Sequence, residues 1–315
     1  MADHSGHQMP SFSTSSPEKN RALKISGWLT GVYFLIELGI GIYTGSVAVI
    51  SDAFHTFSAV GGVILAYVAA RIALRPSSAG YTFGWHRAEM IGALLNGVFL
   101  AVMAVIVMVM GYVRLQNPID LPTTPMLIAA GGGLITEVIS LKLLYGSQKG
   151  DLNMRGAFWH VLQTFVGSVL IIITALVIRF TGFLAIDPLL GMAFGLVLLY
   201  ASWGIMRDAL GVLMEAAPGG VDLKKVIGRL ESLPDIADVH HVHAWTLTSD
   251  KTVFSAHLRA AQNADMTIVL EQAHDILRND YDFAFSTLQV ETAPLAEEHA
   301  VEFDFLHMEA MQTEN

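Results

Sequence analysis

Two apolar stretches of this chain each carry a histidine followed, one helical turn later, by a side chain that binds cations poorly or not at all. Residues 51–59 read SDAFHTFSA and residues 158–164 read FWHVLQT. A spacing of four puts His55 and Ala59, and likewise His160 and Thr164, on a common helix face. Ionisable side chains inside membrane-length segments are costly and mark ion pathways or sites. The spacing therefore predicts an intramembrane cation site built on two imidazoles. The other half of that site is depleted. Thr164 offers a hydroxyl, a poor zinc ligand, and Ala59 offers nothing.

Carboxylates elsewhere could make up the loss. Asp52 precedes His55 by three residues and lies near the same face, one turn away. Glu137, near the middle of a later apolar block, is the better candidate for a new partner, and Glu37 is a third. The plainer alternative for both glutamates is a hydrogen-bonded structural residue. For the two histidines it is helix packing against neighbouring hydroxyls, and for Ala59 it is a small-residue stretch with Gly61 and Gly62 that lets helices approach. Depth favours a meeting of the imidazoles: each sits roughly 14 Å from one end of its segment.

The elements that must position these residues are membrane spans. Of 315 residues, 53% are hydrophobic and only 15% charged, beyond what a soluble domain carries. The apolar residues gather in six blocks, near 25–43, 46–70, 89–112, 126–145, 152–178 and 187–206, each able to cross about 30 Å of hydrocarbon. The polar, Ser-rich first twenty residues lack the apolar run of a cleavable signal. Absence of cysteine excludes disulfides and thiolate ligands. Lys19, Arg21, Lys24, Arg71, Arg75, Arg87, Lys149, Arg155 and Arg207 all fall on one side of the expected topology, against little more than Arg114 and Arg179 on the other. That bias predicts both termini in the cytoplasm, with the six spans in the inner (plasma) membrane and in contact with lipid.

From about residue 208 the composition becomes that of a soluble, acidic domain, which excludes nucleic acid and anionic lipid as natural partners. Asp222–Leu233 reads as a helix, Val239–Leu247 and Thr252–Leu258 as strands around a turn, Thr267–Arg278 as an amphipathic helix, and Phe283–Val290 as a third strand. The order αββαβ predicts a small α+β domain. The fold class is thus an α-helical membrane protein of six transmembrane helices followed by a cytoplasmic αββαβ domain. The expected divisions are a disordered stretch 1–17, the membrane domain 18–207, the cytoplasmic domain 208–295 and an acidic flexible tail 296–315.

A second group of histidines lies in that domain. Alternation along a strand puts His241 and His243 on one face and His240 on the other. A two-residue turn at Ser249-Asp250 pairs His243 with Ala256, and one extra loop residue would bring it opposite His257. With Glu291 on the third strand, His240, His243 and His257 could hold a metal, or simply line a polar sheet surface. His86, in a short loop, either binds metal or belongs to a structural turn.

Several separated motifs give the chain a family likeness from about residue 22 to 293. They are Gly45-Ser46-Val47-Ala48 with Asp52-Ala53-x-His55, Tyr81-x-Phe83-Gly84-Trp85-His86-Arg87-Ala88-Glu89 with Ala93-Leu94-Leu95-Asn96-Gly97, Arg155-Gly156-Ala157-x-x-His160, Ile186-Asp187-Pro188, Val242-His243-x-Trp245, Ala256-His257 and Leu288-Gln289-Val290-Glu291. In this order they resemble the cation diffusion facilitator family of divalent-metal transporters. The resemblance implies a homodimer that exports a divalent cation, zinc first, against protons. Zn²⁺, or another divalent transition metal, would be the substrate, with no organic cofactor. It also implies a four-coordinate transport site of His (or Asp) and Asp at i, i+4 on helices two and five. Here His55 and His160 match the first member of each pair, while Ala59 and Thr164 stand where the family has Asp. Two carboxylates in such a site supply ligands, cancel charge and accept protons, so their loss predicts zinc binding weaker by several kcal/mol in order of magnitude. The competing reading is a transport-deficient member acting as a regulatory or metal-sensing subunit, or a site-altered form. An enzyme is excluded, because no nucleophile–base constellation or nucleotide-binding loop is present.

Overall fold

The computed structural model describes residues 17–145, 152–248 and 251–293. The side chains of some helical positions, Ala59 and His160 among them, lie outside the described residues, as do most of the N-terminal stretch and the acidic tail. The described residues fall into two compact units, divided at Tyr67/Val68, Leu94/Leu95 and Ile205/Met206.

Each apolar block becomes one long helix: α1 (Pro17–Thr44), α2 (Val47–Ala73), α3 (Ala88–Gln116), α4 (Thr123–Tyr145), α5 (Leu152–Thr181) and α6 (Ile186–Leu213). Five of them are long and apolar enough to cross a membrane, and α2 adds the shorter apolar stretch Val47–Phe57 among its described residues. Trp28, Leu35, Phe180 and Tyr200 stand outward, as a hydrocarbon solvent allows. α4 packs along both α1 and α5. Ala48 and Val49 of α2, Met126 and Ala130 of α4, and Ile171 and Ala175 of α5 share one apolar cluster. Leu100, Ala104 and Leu198 join α3 to α6.

The breaks between helices are local chemistry. Gly45, at φ 67°, allows the reversal between α1 and α2. The first turn of α2 then exposes backbone N–H groups that no helical carbonyl can take. Asp187 at the start of α6 accepts them, from Val47 at 2.8 Å and Ala48 at 3.3 Å, together with the Ser46 hydroxyl. Gly182, at φ 69°, closes α5 with its N–H on Ile178 O at 2.9 Å.

In the C-terminal unit the elements are α7 (Leu223–Glu231), β1 (Ile236–Thr248), β2 (Lys251–Ala260), α8 (Met266–Asn279) and β3 (Phe285–Glu291). Asp222 and Asp265 cap the two helices through their side-chain oxygens. The sheet order is β1-β2-β3, with the first pair antiparallel and the second parallel. Val226 and Leu230 of α7, Val269 and Leu277 of α8, and Phe254 and Leu258 of β2 form its core.

The strand register differs from the expected one. Thr248 pairs with Lys251, but an irregularity between Thr246 and Thr248 gives β1 an extra residue, so His243 faces Ser255 rather than Ala256. A second bulge between His240 and His243 sets His240 opposite His257. His241 lies in this bulge at φ 49°, a left-handed conformation that breaks simple alternation.

The segment Val68–Leu94 belongs to this same unit. Trp85 is held between the Tyr81 ring, 4.1 Å away, and the Arg75 guanidinium, 5.6 Å from its centre. Arg87 pairs with Glu215 at 2.8 Å, and the Thr248 hydroxyl donates to Glu89 at 2.5 Å.

Candidate metal centre

Four helices of the first unit bring acids and hydroxyls together. On α1, Tyr33 and Glu37 are one turn apart and face inward, with Glu37 fully buried at 0% exposure. Asp52 enters from α2 at 3% exposure, Glu137 from α4 at 6%, and Thr164 and Ser168 from α5, all on inward faces. Two glycines make the space. A Cβ on Gly167 would fall 2.1 Å from Asp52 Oδ1, and one on Gly133 would fall 2.5 Å from the Tyr33 hydroxyl and 2.6 Å from that of Ser168. Small residues at these points are what let the polar side chains reach the interior.

The hydrogen bonds inside the cluster are incomplete. The Tyr33 hydroxyl donates to Ala129 O at 2.7 Å, and the Ser168 hydroxyl donates to Glu137 Oε1 at 3.0 Å. Thr164, whose hydroxyl donates to Val161 O at 2.9 Å, neighbours the Glu137 carboxylate. Glu37 and Asp52 direct their carboxyl groups at each other. Among the described residues, both oxygens of Glu37, Oδ1 of Asp52 and Oε2 of Glu137 meet no hydrogen-bond donor. Buried acceptor-only groups in contact are stable only with a proton or a cation between them. An apolar cleft formed by Ala48, Gly167, Ile171, Thr174, Leu190 and Phe194 adjoins Asp52.

His55 is half-buried on α2, its ring set edge-on to Phe194 at 5.7 Å. His160 belongs to α5, and its side chain lies outside the described residues. Of the expected substitutes, Asp52 and Glu137 both enter the buried cluster. Glu37, the third candidate, for which as for Glu137 a structural role was the plainer alternative, enters it as well. The available signal was its four-residue spacing from Tyr33, which sets two polar groups on one face of an apolar helix.

The second group of histidines is reordered. His240, His241 and His257 bring ligand atoms within 4.8 Å of one another. His240 Nε2 lies 2.9 Å from Glu291 Oε1, and its Nδ1 lies 3.0 Å from Asp238 Oδ2. His243 is exposed and lines a separate cleft with Val221 and Asp222. His241 takes part because of the bulge, which period-two reasoning cannot show. His86 Nε2 sits 3.4 Å from the Lys251 ammonium, a cationic neighbour that disfavours a metal there.

A bundle of apolar helices enclosing a cluster of buried acids is the architecture of a membrane protein. Comparison with known families makes that specific. The cation efflux transmembrane domain matches residues 23–214, and the cytoplasmic domain of cation efflux proteins matches 218–293. The chain belongs to the cation efflux, or cation diffusion facilitator, family. Its relatives include the metal cation efflux system protein CzcD of Cupriavidus metallidurans, 34% identical over 284 residues and covering 90% of each chain. The zinc transporter ZitB of Escherichia coli is 30% identical, covering 91% of this chain and 93% of its own. A cadmium, cobalt and zinc/H⁺-K⁺ antiporter of Bacillus velezensis is 31% identical, covering 87% and 88%.

Proposed function

We propose that the chain exports divalent cations, zinc first, in exchange for protons, and that Asp52 and Glu137 replace the carboxylates missing at positions 59 and 164. The observation that carries this reading is Glu137, a buried acid on α4 placed beside Thr164 of α5. The names of the relatives, which include zinc transporters and proton-linked antiporters, support the cargo and the exchange. His55 and His160 would supply nitrogen ligands and the acids would cancel the double charge, which two neutral imidazoles leave uncompensated. Histidine titrates near physiological pH, so proton uptake favours release on the far side. The positive-inside bias supports an inner-membrane protein with both termini in the cytoplasm, and the family's cytoplasmic domain supports a homodimer. His240, His241, His257 and Glu291 would hold a further metal in that domain.

The test is zinc flux into vesicles containing the purified protein under an imposed proton gradient. Flux lost in His55→Ala and in Glu137→Gln supports a retuned transporter. Absence of flux in the wild type, with gain in Ala59→Asp/Thr164→Asp, supports the transport-deficient reading instead.

A further inference from the structure

Glu37 stands apart from the other acids in one respect. It is completely buried, on a helix that carries neither imidazole, and among the described residues neither of its oxygens meets a donor. Its carboxyl group points at Asp52, whose Oδ1 is equally without a donor. Burying an acid in hydrocarbon without a partner costs several kcal/mol. A side chain so placed requires either a proton or a cation at its oxygens.

Resting on the transport reading above, we propose that Glu37 is a third carboxylate ligand of the cargo and that it widens the cargo to hard divalent cations, with Mn²⁺ as the diagnostic ion. The donor set carries the argument. Glu37, Asp52 and Glu137 offer carboxylate oxygens from three helices, and the hydroxyls of Ser168 and Tyr33 lie beside them. Against these stands His55, with His160 as the second expected nitrogen. Divalent metals follow the Irving–Williams order at sites of mixed donors, so Mn²⁺ binds weakest wherever nitrogen dominates. Carboxylate and hydroxyl oxygens suit Mn²⁺ and allow coordination numbers above four. Zinc at a tetrahedral site needs only four ligands, so it can dispense with Glu37. Mn²⁺ cannot do so without losing one of its few anionic donors.

The experiment compares Zn²⁺ and Mn²⁺ flux in vesicles containing the full chain, as wild type, Glu37→Gln and Glu37→Asp. Mn²⁺ flux in the wild type that falls about tenfold or more in Glu37→Gln, with Zn²⁺ flux reduced by much less, is the expected result. Glu37→Asp should recover part of the Mn²⁺ flux, which a merely structural carboxylate would not do selectively. Zinc flux without manganese flux, or equal losses of both in Glu37→Gln, overturns this inference and leaves the transport reading standing. Should neither ion move, the transport reading fails. The ligand assignment is then decided by Mn²⁺ binding to the detergent-solubilised chain carrying His240→Ala and His257→Ala, followed by electron paramagnetic resonance. Bound Mn²⁺ that Glu37→Gln releases upholds the assignment, and no bound Mn²⁺, or binding indifferent to Glu37→Gln, overturns it. If Glu37→Gln does not elute as a folded protein, the Glu37→Asp comparison alone decides the same question.

Discussion

The Glu137 carboxylate on α4 lies against Thr164 on α5 and accepts a hydrogen bond from Ser168, one turn further along α5, at 3.0 Å. In the transport reading proposed above, the carboxylate missing from position 164 of α5 is supplied by the neighbouring helix. α4 and α5 pack along each other, so a side chain of glutamate length can bridge them. The anionic character of a site is set by where carboxylates converge, not by which helix carries them.

Neutralising that acid should therefore abolish function. Glu137→Gln keeps the shape and the contact with Ser168 but removes one negative charge facing the cargo. Zinc flux is expected to fall by about a hundredfold, the scale of a lost charge-assisted interaction of roughly 2–3 kcal/mol. Ser168→Ala, which removes one neutral donor, should cost only about 1 kcal/mol, or several-fold. Initial rates of zinc uptake in vesicles measure both, and equal losses would show that Glu137 acts only through its hydrogen bond.

The same geometry makes an unusual prediction about the family's own residue. Thr164→Asp alone would set a second carboxylate against Glu137 at a buried position, and like charges there are unfavourable. It should destabilise the protein and give little gain in flux. Thr164→Asp combined with Glu137→Gln returns the acid to α5 and should restore zinc flux toward the wild-type rate. Flux and thermal unfolding of the two single variants and the double variant form a cycle. Additive losses in it would show that the two positions do not share one site.

Gly167 gives a steric test of Asp52. A methyl group there would fall 2.1 Å from Asp52 Oδ1 and 2.8 Å from its carboxyl carbon. Gly167→Ala must displace the carboxylate, with an overpacking cost of about 1–3 kcal/mol. Zinc flux should fall with Asp52 itself intact. A Gly131→Ala control, where the added methyl meets nothing within 4 Å, should leave flux unchanged. Equal behaviour of the two alanine variants would remove Asp52 from the site.

How far these relationships were legible in the sequence depends on the distance over which each is set. The six long helices follow from apolar runs of membrane length, and their ends from Gly45, Gly182 and the prolines after Arg75 and Asn117. The imidazoles and the gaps at Ala59 and Thr164 follow from i, i+4 spacing. Glu37 is a candidate from its type and place, but its meeting with Asp52 depends on how α1 packs against other helices, which periodicity within one helix does not encode. Ser168 and Gly167 were missed for the same reason. In the sheet, alternation from the buried Val239 would turn His241 and His243 inward, whereas beyond the bulge Val242 and Ala244 are buried and His243 is exposed. A single left-handed residue is enough to exchange the faces that follow it.

That exchange decides which histidines should bind metal in the C-terminal domain. Alternation favours His243. The bulged register instead brings His241 beside His240 and His257, with ring centres 5.1 to 5.5 Å apart. In the full chain carrying His55→Ala and His160→Ala, zinc bound by the C-terminal domain should weaken at least about tenfold in His257→Ala and in His241→Ala. His243→Ala should leave it unchanged. His241→Gly separates the two roles of that residue: glycine accepts a φ of 49° more readily than histidine, so the bulge persists while the imidazole is lost. If His241 is a ligand, the glycine variant binds zinc as weakly as the alanine one. If it only shapes the strand, the glycine variant retains wild-type affinity, and isothermal titration with zinc distinguishes the two.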